Sequence, residues 1–292
     1  MFKVLLIVIL VLPFGLLVAD TYKIYSSETG REISLPKLAK SLQNYDVIFF
    51  GEFHDNSIHH EMEIKLLKLL YKRNKSIALS LEMFERDVQN SLNQYLNDTL
   101  TEEEFLGVSR PWPNYKADYQ PMVEFAKKNS LPVIAANVPR RYAAGVNAEG
   151  ISYLETIPEA EKQFVAKEIK VLNDAYREKF IKTMNVNMGS AMHSKATMNF
   201  DNLYAAQCLK DDTMAESIAE FLTTHPGTHI YHVNGDFHSS QHLGTAQKLK
   251  LLKPELKIAV ISPVGVKDPD KKPRPEWDYE AGDFIVIIPI TE

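Results

Sequence analysis

Short apolar runs recur along the chain at 47–50, 77–81, 133–136, 230–233, 258–261 and 284–288. Each has strand length and is rich in β-branched or aromatic residues. None alternates with polar residues, which predicts strands buried on both faces. Between most of them the apolar positions fall at helical spacing. Residues 58–71 carry Met62, Leu66, Leu67, Leu69 and Leu70 on this pattern, and 119–128 and 243–252 read alike. Strands alternating with helices predict an α/β fold, a mainly parallel sheet with helices on both faces (an α/β/α sandwich). Residues 21–34 read as a hairpin turning at Thr29-Gly30, followed by a short helix over 35–43. Residues 151–225 contain no strand pattern. They are expected to form an all-helical lobe inserted into an α/β core made of 20–150 and 226–292. A polar, proline-rich loop at 267–283 precedes the last strand.

The first 19 residues differ from the rest. Lys3 precedes an apolar stretch from Val4 to Ala19, interrupted by Pro13 and Gly15. A short positive end before a hydrophobic segment is the pattern of an export signal or N-terminal anchor, so the chain is expected to be exported, periplasmic or membrane-associated. The single cysteine, Cys208, excludes an internal disulfide, and no cysteine lies where a lipid anchor would be attached. A net charge of −5 with no basic stripe argues against a nucleic-acid partner.

Polar residues cluster where the strands end. After the first core run comes Gly51-Glu52-Phe53-His54-Asp55-Asn56. The second leads to Glu82-Met83-Phe84-Glu85-Arg86, the third to Asn137-Val138-Pro139-Arg140-Arg141, and the fourth to Asn234-Gly235-Asp236-Phe237-His238. In an open parallel sheet these ends share the edge at which such folds bind ligands. The first and fourth clusters both read Gly-acid-Phe-His. The glycines are expected to let the backbone turn off the strand. Glu52, His54 and His238 then become candidates to hold a divalent metal, or to act as base and orienting acid. Glu82 needs a partner for a buried charge and is expected to face the same crevice. Arg140 and Arg141 are candidate clamps for an anionic group, with a surface ion pair as the alternative for at least one of them. His59 and His60, at the start of a helix, are further possible ligands or plain surface residues. Asp236 is an alternative helix cap.

The segment "MNVNMGSAMHSKATM" offers a different chemistry. Met184, Met188, Met192 and Met198 surround His193, and Tyr204 lies just beyond. Methionine and aromatic side chains adapt to large flat apolar ligands, and haem iron accepts Tyr, His or Met. The same stripe also suits an ordinary core or a partner-helix surface.

The ordered set "GEFHDN", "LEMFERD", Tyr119 to Ala126, "AANVPR", "AAQCLKDDTMAESIA" and "NGDFH" resembles the ChaN-like family of iron-regulated, haem-binding bacterial proteins, from about residue 24 to 261. It is distantly similar to erythromycin esterases and Tiki-type metalloproteases. The resemblance implies an exported haem-binding protein acting in haem or iron uptake, a homodimer linked by haem, and periplasmic or outer-membrane transport partners. It implies haem on the helical lobe, held by Tyr204, His193 or Tyr176, with Arg177, Lys182 and Lys195 near enough in sequence to meet propionates. The more distant similarity implies a metal-dependent hydrolase of ester or amide bonds. Glu52, His54 and His238 would then carry the chemistry, with Arg140 holding substrate. A hydrolase fold kept only as a scaffold is the third reading.

Overall fold

A computed structural model describes residues 22–187, 199–268 and 277–289. The N-terminal apolar segment, His193, Lys195, Met188, Met192 and Met198 lie outside the described residues. Eight strands form one sheet: β1 (Lys23–Ser26), β2 (Arg31–Ile33), β3 (Val47–Glu52), β4 (Ile77–Glu85), β5 (Val133–Asn137), β6 (His229–Gly235), β7 (Ile258–Val266) and β8 (Phe284–Pro289). Their order is β2-β1-β8-β7-β3-β6-β4-β5. The six strands from β8 to β5 are parallel, and the β1–β2 hairpin adds antiparallel to β8. The predicted strands and hairpin are all present. Among the described residues ten α-helices accompany them: α1 (Leu35–Ser41), α2 (Ser57–Arg73), α3 (Gln89–Leu96), α4 (Glu102–Ser109), α5 (Tyr115–Asp118), α6 (Gln120–Lys128), α7 (Arg140–Glu149), α8 (Ala175–Asn187), α9 (Phe200–Thr224) and α10 (Gly244–Leu252).

Alternation along β3 divides the core. Ile48 and Phe50 pack with Leu66 and Leu67 of α2 and Met122 and Val123 of α6 on one face. Val47 and Phe49 pack with Met214, Ala215 and Ile218 of α9 and Leu249 of α10 on the other. Successive strand side chains point to opposite faces, so a run with no polar residue must be covered twice. Each such side chain contributes about 1.5–3 kcal/mol on full burial.

Within the segment 151–225, the C-terminal half of α9 is one of the layers covering the sheet. The chain before α8 is tied alongside α9 as well. The Ala166, Lys167 and Lys170 N–H groups donate to the side chains of Thr213, Glu216 and Asp212. A smaller cluster of Tyr176, Phe180, Tyr204 and Cys208 joins α8 to the first turns of α9. Among the described residues no helix is long and apolar enough to cross a membrane.

Candidate functional site at the strand ends

β3 ends in Glu52, and the chain crosses to α2 through Phe53, His54 and Asp55. Asn56 caps α2 by accepting the Ile58 and His59 N–H groups. This short crossing leaves Glu52 buried and His54 above it with 45% of its side chain exposed. His54 Nδ1 is 2.6 Å from Glu52 Oε1, and the Tyr119 hydroxyl donates to the same oxygen at 2.7 Å. Trp112 meets the His54 ring edge to face at 4.8 Å. Burial pushes the Glu52 carboxyl up, but the bond from His54, the neighbouring His60 ring and the Tyr119 hydroxyl outweigh it and hold it well below the usual carboxylate range. Burial pulls His54 down, and the bond to Glu52 with the nearby Glu82 charge reverses this, leaving His54 above its ordinary value.

The second half of the site comes from β4, β6 and α9. Glu82 Oε2 accepts the Gly235 N–H at 2.7 Å, and Glu82 Oε1 lies 3.3 Å from His238 Nε2. The other His238 nitrogen is 2.7 Å from Asp211 Oδ1. Asp211 also accepts from the Tyr176 hydroxyl at 2.7 Å and from Thr245 Oγ1 at 2.8 Å. His238 is therefore held between two buried carboxylates. Burial alone would lower its pKa, but Glu82 and Asp211 raise it to about 10. Burial likewise raises Glu82, but His238 and then His54 bring it down to about 2.

The two Gly-acid-Phe-His motifs interlock. A Cβ on Gly51 would lie 2.5 Å from Asp236 Oδ1, and one on Gly235 would lie 2.7 Å from Cε1 and Nε2 of His54. Each glycine thus makes room for a residue of the other motif. This corrects the expectation of a special turn: neither glycine has a positive φ, and Gly235 sits at φ −55. Gly235→Ala is expected to swing the exposed His54 ring off Glu52 at a stability cost of about 1 kcal/mol, the low end for overpacking. Its titration, followed by NMR, should then fall towards the ordinary value near 6.5; an unmoved titration would show that the ring tolerates the methyl.

Residues 38–249 match the family described as haem-binding uptake, Tiki superfamily, ChaN. The chain belongs to this family. ChaN of Campylobacter jejuni, solved to show cofacial haem binding, shares the fold with a TM-score of 0.69 at 19% identity, covering 91% of this chain and 96% of that one. An erythromycin esterase variant in its open conformation gives a TM-score of 0.49 at 12% identity over 86% of this chain and 81% of its own. The chloroplastic protein RETICULATA-RELATED 5 of Arabidopsis thaliana is 28% identical over 145 residues, which is 46% of this chain and 20% of the plant protein.

In this ChaN-family chain the residues proposed from sequence fall into three groups. Glu52, His54, Glu82 and His238 converge, with His54 close enough to Glu82 and His238 for each charge to act on the others. Arg140 is exposed at the start of α7 and makes no ion pair among the described residues, whereas Arg141 pairs with Asp87 and Glu161. Tyr176 and Tyr204 are both buried between α8 and α9, and Tyr176 adjoins the strand-end site through its hydrogen bond to Asp211, the partner of His238. Among the described residues, Glu52, His54 and His238 do not form a group with metal-ligand spacing. His54 and His238 are each hydrogen-bonded to carboxylates on separate halves, and the metal-like spacing belongs instead to Glu52, His60 and Glu63. Asp236 bonds Ser262 and lines a separate cavity of about 660 Å³ with Lys179, Lys182, Ser240 and Asp278. Asp211, Tyr119 and Glu63 went unassigned from sequence. Their signal is a polar residue on the buried face of a helix otherwise filled with apolar side chains.

Proposed function

We propose that the chain is an exported haem-binding protein that stores or relays haem, with haem seated against α8 and α9, between two copies of the chain. Membership of a haem-binding family across residues 38–249 carries this reading. The α8 region supplies suitable materials. Ile181 on α8, and Val171 and Leu172 just before it, are exposed apolar residues. Lys182 and Arg177 offer cations for propionates, Arg177 being shared with Asp201. Tyr204 is the first choice of iron ligand. Burial pushes its phenol well up, but ferric iron deprotonates a ligand that it binds. With 2% of its surface exposed, Tyr204 reaches iron only if its packing against Phe180, 5.3 Å away, gives way. Its loss is testable without disturbing the fold. Tyr204→Phe removes one hydroxyl and is expected to lower haemin affinity by at least about tenfold, roughly the worth of one hydrogen bond to a charged group. Unchanged affinity and an unchanged Soret band would remove Tyr204 as the ligand. Transfer to periplasmic or outer-membrane transport components belongs to the same proposal.

A second reading rests on one arrangement. Glu52 orients the Nδ1 side of an exposed histidine and leaves Nε2 turned towards Gly235 and Glu82, as a base-and-orienter pair requires. Such a pair could activate water on an ester or amide. His54→Ala is expected to abolish that activity and leave haemin binding unchanged.

A further inference from the structure

We propose that Glu52, His60 and Glu63 form a buried binding site for one divalent transition-metal ion of borderline character, such as Zn²⁺, between the end of β3 and the first turns of α2. One ligand atom from each residue lies within 4.8 Å of the others. His60 Nδ1 is 3.4 Å from Glu52 Oε2 and 3.3 Å from Glu63 Oε2. Zinc bonds to His nitrogen and carboxylate oxygen are about 2.0–2.2 Å, so neighbouring ligand atoms of a tetrahedral site stand about 3.3–3.6 Å apart. The two separations fall in that range. His60 and Glu63, three apart on α2, share a helix face that meets the strand end.

Two buried oxygens point to an occupant. Glu52 Oε2 and Glu63 Oε1 have no hydrogen-bond partner, although Glu52 is 1% exposed and Glu63 fully enclosed. Orphaned buried carboxylate oxygens are costly, and a cation satisfies both carboxylates. The surroundings fix the ligands as a metal site needs. His54 and Tyr119 both bond Glu52 Oε1, which leaves Oε2 for the ion. His60 Nε2 is 3.2 Å from the His54 carbonyl, so an N–H there leaves Nδ1 with its lone pair free. Asn114 links that carbonyl to Asp118 and closes the site under α5. One nitrogen and two carboxylates suit zinc, manganese or ferrous iron better than calcium, which takes six to eight oxygens. The site shares no residue with the α8–α9 region and stands whether or not haem binds there.

The test uses the full chain stripped with a chelator and titrated with Co²⁺ as a spectroscopic probe. The expected result is one Co²⁺ per chain with the visible absorption of a four-coordinate ion, displaced by Zn²⁺. Glu63→Gln and His60→Gln should each weaken binding by about 100-fold, the upper end for losing even a supporting group. Should either variant fail to fold, the wild-type Co²⁺ form decides alone: one histidine ligand predicts one paramagnetically shifted imidazole N–H. No Co²⁺ uptake, wild-type uptake by Glu63→Gln, or a count of shifted N–H signals other than one would overturn the proposal. Glu52 and Glu63 would then be an acid pair sharing a proton.

Discussion

Asp211→Ala is expected to destabilise the folded chain by about 3–5 kcal/mol, the scale for breaking a buried ion pair by removing one partner. Asp211 is fully buried and accepts from three separate elements: His238 after β6, Tyr176 on α8 and Thr245 on α10. Alanine strands all three donors and leaves the His238 charge with Glu82 alone. Asp211→Asn keeps one acceptor oxygen and should cost less. Urea unfolding at pH 7 measures both, as a lower midpoint at unchanged slope. A loss below about 1 kcal/mol for the alanine variant would mean that water replaces the carboxylate, and that α9 is not held to the strand ends through Asp211.

The second large effect is a pH dependence that His238 and Glu82 create together. His238 titrates near 6.5 in an unfolded chain and at about 10 in the folded one. The folded state therefore holds a proton that the unfolded state has lost between these values. The stability of this contact is complete below about pH 6.5 and disappears as the pH rises through about 10. Glu82 sets the lower limit. Its carboxyl is brought down to about 2, so its contribution is present above about pH 4.5 and is lost as the pH falls through 2. The difference between wild type and His238→Gln isolates the His238 share: it should be constant from pH 5 to 6.5 and shrink steadily towards pH 10. A difference that grows with pH would mean that His238 is neutral when folded.

The sheet was legible because its strands are covered on both faces. Phe49 and Phe50 point to opposite cores, so the run 47–50 has no polar position to break it. The place of α9 was not legible. Ala205, Ala206 and Leu209 face α7, Met214 and Ile218 face the sheet, and Asp211, Asp212 and Thr213 are buried between them. No single apolar stripe survives two such changes of neighbour, so the segment read as a lobe of its own. α3 and α4 were also passed over, although Thr101 and Glu104 form a capping box at the start of α4. At the site, the paired Gly-acid-Phe-His motifs marked the right strand ends, because short strand-to-helix crossings keep their polar residues together in sequence. The partners that tune them, Tyr119, Glu63 and Asp211, come from helices 67, 11 and 159 residues beyond Glu52. Only the folded chain brings them there.

Two separate regions are proposed to act: a strand-end site built on Glu52, His54, Glu82 and His238, and a haem-binding face on α8 and α9. Haemin titration of the chain from residue 20 onward, read by Soret absorbance and by sizing, tests this most directly when wild type and a His54→Ala variant are run side by side. The expected result is a saturable Soret shift with formation of a dimer, the same in both proteins. Absence of saturable binding by the wild type, or its loss on changing His54, would contradict it.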